Sequence, residues 1–119
     1  MTGPASSGPG RPVRRMASVI RLRPEKEAEY RRLHAGAWPE VLAMIAEVGI
    51  RNYSIFLREG MLFSYFEYVG DDYEADMARM AQDPATLRWW GLTDPCQQPV
   101  ESAGEGVWWA PADPVFHTD

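Results

Sequence analysis

The sequence predicts an α+β fold, a ferredoxin-like sandwich whose antiparallel sheet carries helices on one face. Three observations predict it. Strand and helix signals run in the order strand, helix, strand, strand, helix and a final extended part, the β-α-β-β-α-β order of that sandwich. Two neighbouring segments, Ile50 to Leu57 and Met61 to Val69, are rich in aromatic and branched residues and are joined by Arg58-Glu59-Gly60. A link that short, with a glycine, predicts an antiparallel hairpin. Both faces of the hairpin carry large groups: Tyr53, Ile55 and Leu57 alternate with Asn52, Ser54 and Phe56. A sheet coated on both faces needs helices on one side and a ligand cavity, a second subunit or both on the other.

Residues 1–15 read as a flexible N-terminal extension, rich in Gly, Pro and Ser with almost nothing to bury. Residues 16–119 read as one α+β domain. The first strand is expected over Ala17 to Leu22 and ends at Arg23-Pro24, because proline cannot donate to a sheet ladder. Pro24 opens a helix through Ala35, with Glu25 and Glu27 in its first turn. Pro39 restarts a helix as a first-turn residue. Val41, Leu42, Ile45 and Val48 recur at helical spacing, and Gly49 is the natural stop. Past the hairpin, Asp71-Asp72 opens a helix whose apolar positions are Tyr73, Met77 and Met80, with the methionines read as pliable core filler. Asp83-Pro84 opens a further helical piece through Trp90, and Pro95 and Pro99 interrupt the chain beyond it. Gly106 to Ala110 and Val115 to His117 are candidate extended segments.

Composition narrows the function. The chain has 119 residues, the size of one small domain, so oligomerisation is a natural supplement to its core. The formal net charge of −5 argues against a general nucleic-acid binder. Eight of the twelve basic residues precede Leu33, but no aromatic residue is interleaved with the arginines ahead of the first helix, so an RNA-binding arm is not expected. The single cysteine, Cys96, sits in a turn signal with no partner motif, and a reducing cytosol suits it. No apolar run approaches a membrane span and no signal-peptide core opens the chain. A cytoplasmic protein without membrane attachment is expected.

The stretch richest in chemistry is Tyr30-Arg31-Arg32-Leu33-His34-Ala35-Gly36-Ala37-Trp38-Pro39-Glu40, which holds one of only two histidines. On a helix, Tyr30 and His34 lie one turn apart on one face. An imidazole titrates near neutral pH and a phenol hydrogen-bonds hydroxyl or carbonyl oxygens, so the two suit acid–base work on a small polar substrate. The same spacing also describes a half-buried histidine on a core-facing helix, the commoner case. Neither His34 nor His117 lies in a metal-binding run, and no dinucleotide, phosphate-loop or nucleophile-elbow motif occurs. No metal and no cofactor are expected, which favours chemistry by side chains alone. Trp89 and Trp90 are neighbours, and neighbours on a helix point about 100° apart. Packing alone would put one in the core and the other over an edge. Trp108 and Trp109 read as core or interface residues.

Four pieces of the chain together resemble the L-rhamnose mutarotase family: Tyr30-(x)3-His34-(x)3-Trp38-Pro39-Glu40; Asn52-Tyr53-Ser54-Ile55-Phe56-Leu57; Arg88-Trp89-Trp90; and the ending Val115-Phe116-His117-Thr118-Asp119. The resemblance covers Ala17 to Asp119, nearly all of the part that reads as folded. The resemblance implies the dimeric α+β barrel form of the sandwich and a homodimer. It implies an isomerase that interconverts the α and β anomers of L-rhamnose, or of a related deoxy-sugar, without a cofactor. The family's catalytic histidine matches His34, and its sugar-contacting residues match Tyr30, Tyr53, Trp89 and Trp90. The chain departs from the usual pattern at Ala35-Gly36, where Asn-Pro is usual, and in a proline-rich segment after Trp90, beside the expected pocket. Two other classes fit the same fold: a cofactor-free monooxygenase-like barrel enzyme and a non-catalytic small-molecule-binding module.

Overall fold

The computed structural model describes residues 12–119. The expected extension, residues 1–15, lies mostly outside the described residues. Its last two, Arg14 and Arg15, are strand, because β1 runs Arg14–Leu22 rather than starting at Ala17. The early start has a physical reason: Arg14 pairs with Tyr68 and Arg15 with Glu67, and the Arg14 guanidinium lies 4.9 Å over the Tyr73 ring. A single turn of tight helix, Pro24–Lys26, leads into α1, Glu27–Ala35. Helix α2, Pro39–Glu47, has its proline in the first turn and gives way at Gly49, where φ is +88°.

Strands β2, Ile50–Arg58, and β3, Met61–Tyr68, form the expected hairpin. Glu59 and Gly60 both have positive φ, the two-residue turn whose twist matches that of the flanking strands. Helix α3, Tyr73–Met80, is capped by Asp72, whose Oδ1 accepts from the Ala75 amide at 3.1 Å. Helix α4, Pro84–Thr93, is capped by Asp83, whose Oδ2 accepts from both the amide and the hydroxyl of Thr86. Caps of this kind are worth ~1 kcal/mol each. Two short strands close the described chain: β4, Gln97–Gln98, and β5, Ala110–Ala112.

Among the described residues the sheet order is β2-β3-β1-β4, with β5 also on β1 and every pairing antiparallel. The far edge of β1 is therefore shared. Arg21 and Leu22 pair with β4, while Ala17 to Val19 pair with β5. Ile20, Leu22, Leu62 and Cys96 pack with Tyr30 beneath α1. Val41, Ala85 and Trp89 form a second buried cluster between α2 and α4. The opposite sheet face carries the cross-strand row Phe56, Phe63 and Val19, with Phe56 64% and Phe63 41% exposed.

Two expected extended segments are corrected. Only Ala110 of Gly106 to Ala110 enters a strand, and Val115 to His117 has no regular structure. The tail finds no partner strand, and Val115 and Phe116 are 96% and 83% exposed. Pairing decides strand formation here, and branched or aromatic residues without a neighbouring edge do not supply it.

A bulge sets which residues of β2 face the helices. Arg51 pairs with Glu67 and Ser54 with Tyr65, so Asn52 and Tyr53 together oppose Phe66 alone. The extra residue reverses the alternation, and Ile50, Tyr53 and Ile55 end on one face. Asn52 takes the left-handed conformation, φ +49°, and its side-chain amide donates to Glu67 Oε1 at 2.8 Å. Asparagine tolerates that conformation better than other residues with a side chain, apart from aspartate.

Candidate active site

A cavity of about 640 Å³ lies between the helix-facing side of the sheet and the helices. Tyr30 and His34 of α1, Tyr53 of β2 and Trp89 and Trp90 of α4 all line it. Five residues from three separated segments thus meet in one space, although only Tyr30 with His34 and Trp89 with Trp90 are near in sequence. Each arrives for a local reason. Helical spacing brings Tyr30 and His34 together, the bulge at Asn52 turns Tyr53 inward, and the Asp83 cap starts α4 in the register that presents both tryptophans.

The Tyr30 and His34 rings lie 4.3 Å apart, tilted by 37°. The phenol and the imidazole hydrogen-bond to other partners. His34 Nδ1 is instead 2.9 Å from the backbone carbonyl oxygen of Tyr30. A carbonyl only accepts, so Nδ1 carries the proton and Nε2 keeps its lone pair in the neutral ring. The edge of Trp89 meets the His34 ring at 5.3 Å, and Trp38 packs against Trp89 at the same distance. Trp89 packs on the imidazole, and Trp38 in turn braces Trp89.

Trp89 is 7% exposed and Trp90 half-buried, yet both reach the cavity. The cavity is long enough to touch two side chains that point in different directions. Tyr53 stands at its mouth, 42% exposed, with its ring edge-on to Phe66 at 5.5 Å. Met77 and Met80, expected as core filler, are half-buried and line the cavity as a pliable wall.

Two residues of the site escaped the sequence reading. Gln97 is 3% exposed and its Nε2 donates to the Tyr30 hydroxyl at 3.0 Å. Trp108 Nε1 donates to Gln97 Oε1 at 2.8 Å. Trp108, read as core or interface, is 40% exposed and lines the cavity. No spacing could have found this pair, because Trp108 lies eleven positions beyond Gln97 across a largely irregular segment. Burial holds the Tyr30 phenol above its ordinary range, partly opposed by the Gln97 amide, so Tyr30 keeps its proton. Asp94 also lines the cavity, and burial raises its carboxyl above the usual range. Burial likewise raises the Cys96 thiol, which is fully buried, points at the Leu92 carbonyl oxygen and does not line the cavity. His117 is remote from this site, with its Nε2 3.0 Å from Asp119 Oδ1 at the exposed end of the chain. Among the described residues no group of three or more His, Cys, Asp or Glu side chains is placed to hold a metal ion. No helix there is long and apolar enough to cross a membrane.

The family model for L-rhamnose mutarotase matches residues 15–118. The chain belongs to the L-rhamnose mutarotase family. An L-rhamnose mutarotase of Pectobacterium atrosepticum is 32% identical over 113 residues, covering 88% of this chain and 98% of the relative. The crystal structure of an L-rhamnose mutarotase from Formosa agariphila superposes with a TM-score of 0.67 at 24% identity, over 89% of this chain and 99% of that one. Tetracenomycin F2 cyclase from Streptomyces glaucescens, a type-II polyketide cyclase, superposes equally well, at TM-score 0.67, but is 15% identical, over 89% of this chain and 97% of that one. Both structures share the α+β barrel fold with this chain. The fold therefore serves more than one chemistry, and the sequence match carries the family.

Proposed function

We propose that the chain is an L-rhamnose mutarotase that interconverts the α and β anomers by side-chain acid–base chemistry centred on His34. One observation carries the proposal: His34, the only histidine among the described residues that line the cavity, has its tautomer set by the Tyr30 carbonyl, leaving Nε2 as the basic atom beside Tyr53, Trp89 and Trp90. A pyranose changes anomer by opening to the aldehyde and reclosing on the other face of C1. His34 Nε2 takes the proton of the C1 hydroxyl while the bond from C1 to the ring oxygen breaks. The imidazolium returns that proton to the former ring oxygen. Rotation about C1–C2 and the reverse steps give the other anomer. One proton moves out and back and no electrons are transferred, so the reaction asks for no cofactor. Tyr30 and Tyr53 hold sugar oxygens, and a tryptophan face stacks on the C–H face of the ring.

The protein acts as a homodimer in the cytoplasm. Support for the dimer is the exposed pair Phe56 and Phe63, continued by half-buried Val19, on the sheet face away from the helices, an apolar surface that a second copy would cover. Equilibrium sedimentation at micromolar concentration should give a dimer, and a monomer alone would contradict it.

NMR saturation exchange between the anomers of L-rhamnose, with L-fucose alongside, tests the reaction. Exchange that accelerates on L-rhamnose supports the proposal. Oxygen uptake with an oxidisable aromatic substrate would favour the monooxygenase-like class instead, and sugar binding without exchange would leave a binding module.

A further inference from the structure

We propose that Gln97 and Trp108 are positioning residues that lock the Tyr30 hydroxyl as a hydrogen-bond donor for the ring oxygen of the sugar. The inference rests on the mutarotase reading and deepens it.

The polarity of the chain Trp108–Gln97–Tyr30 is fixed from one end. An indole N–H only donates. The Trp108 Nε1 contact at 2.8 Å therefore requires the Gln97 carbonyl oxygen to face it. The Gln97 amino group must then face Tyr30, where Nε2 lies 3.0 Å from the hydroxyl oxygen. That oxygen accepts, so the phenol proton is left for the cavity, which Tyr30, Gln97 and Trp108 all line. Gln97 is 3% and Tyr30 5% exposed, so bulk water does not compete for the contact between them.

A donor of fixed polarity discriminates among sugar oxygens. Each hydroxyl of a pyranose can donate or accept, whereas the ring oxygen has no proton and only accepts. As the bond from C1 to the ring oxygen breaks, its electron pair stays on that oxygen. A donor already oriented there stabilises the growing charge without reorganising. Tyr30 keeps its own proton throughout, and His34 carries the proton that moves. Gln97 and Trp108 touch no reacting atom and act through Tyr30.

The test is Gln97→Glu, which keeps the shape and makes the polarity depend on pH. An ionised carboxylate only accepts. It takes the indole N–H with one oxygen and the Tyr30 O–H with the other, which turns the phenol proton away from the cavity. The protonated carboxyl donates to Tyr30 as the amide does. The titratable groups facing this place are His34 on the Tyr30 helix, Tyr53 on β2, and Asp94 and Cys96 from the turn ahead of Gln97, with Lys26 and Glu29 beside Cys96. Burial raises the introduced carboxyl while the indole and phenol donors favour its ionised form, and the position of the limb reports the balance of the two.

Anomer exchange on L-rhamnose is measured from pH 5 to pH 9 as the ratio of variant to wild type. The expected Gln97→Glu ratio is near one at the acid end and drops about tenfold as the carboxyl ionises, in kcat more than in KM. Gln97→Met gives a ratio independent of pH. In a Tyr30→Phe background Gln97→Glu adds no new limb, because no phenol remains to turn. Trp108→Phe frees the amide to rotate and lowers kcat about threefold to tenfold. A Gln97→Glu ratio that is constant with pH, or a limb that persists with Tyr30→Phe, overturns the inference. If Gln97→Glu does not fold, an unchanged kcat in Trp108→Phe overturns it. A constant ratio beside His34-dependent wild-type exchange defeats this inference alone, whereas wild type without exchange defeats the mutarotase reading with it.

Discussion

The Nδ1 atom of His34 sits 2.9 Å from the backbone carbonyl oxygen of Tyr30, one helical turn earlier. The contact uses a carbonyl that lies within the helix itself, so the tautomer is fixed by local geometry and needs no carboxylate. It also separates two roles that the spacing merges: the Tyr30 backbone orients the imidazole, while the Tyr30 hydroxyl turns away to Gln97.

His34→Ala should lose about 100-fold or more of the catalysed anomer exchange while keeping its circular dichroism, the range expected for removing a general acid–base group. Saturation-transfer NMR provides the rate. A folded His34→Ala protein that exchanges like wild type would remove the assignment.

The bulge at Asn52 gives a contrast between two substitutions. Asn52→Val places a branched side chain at φ +49° and removes the donor to Glu67. The left-handed conformation costs an ordinary L-residue ~1–2 kcal/mol, and more when the side chain is branched. Asn52→Gly keeps the conformation and should lose less. Urea unfolding of the two variants checks the order. KM for the sugar should rise in Asn52→Val, because Tyr53 leaves the cavity mouth when the bulge is lost.

Gly70 tolerates no side chain. A Cβ there would lie 2.4 Å from the Tyr68 hydroxyl and 2.7 Å from an Asp76 carboxylate oxygen. These atoms are tied down, since Tyr68 donates to Asp76 and accepts from the Asp72 amide. Gly70→Ala should therefore destabilise the fold by ~1–3 kcal/mol, the usual range for overpacking. A midpoint of urea unfolding equal to wild type would show that the loop yields instead.

Stability should fall in alkali through Tyr68. Burial, then the hydrogen bond to Asp76, raises this phenol from 10.0 to about 12. Below pH 10 it is protonated in both states and its contribution is fully present. As pH climbs from about 10 toward about 12, the unfolded chain loses the proton and the folded one keeps it, so unfolding gains. Tyr30, raised by burial, acts in the same direction. Tyr68→Phe should flatten part of the decline in urea midpoint between pH 9 and pH 12, and an unaltered slope would refute the linkage.

Truncation locates the start of the domain. A chain beginning at Pro12 should keep its fold and its anomer exchange. A chain beginning at Met16 loses the β1 pairs of Arg14 with Tyr68 and Arg15 with Glu67, together with the Arg14–Tyr73 contact. It should unfold at lower urea. Equal midpoints for the two chains would return the boundary to residue 16.

Much of the fold is legible in the residues because its signals are local. The Asp83-Pro84 and Pro39 starts, the Glu59-Gly60 turn and the aromatic hairpin each depend on a few neighbouring side chains, and the structure forms each of them. The Tyr30–His34 face is local in the same way. The sequence by itself thus determined the α+β class and the family, and it named five candidate residues that line one cavity. Tertiary structure decided what depends on distant atoms. The early start of β1 needs the edge of β3, and the tail at Val115 and Phe116 fails as strand for want of any edge. The bulge that turns Tyr53 inward appears only in the register against Glu67 and Tyr65. Trp108, Gln97 and Tyr30 come from an irregular segment, a two-residue strand and a helix, and a shared hydrogen-bond chain joins them only after folding. A buried polar group must find a partner wherever the packing leaves one, and no periodicity in the chain records which partner that is.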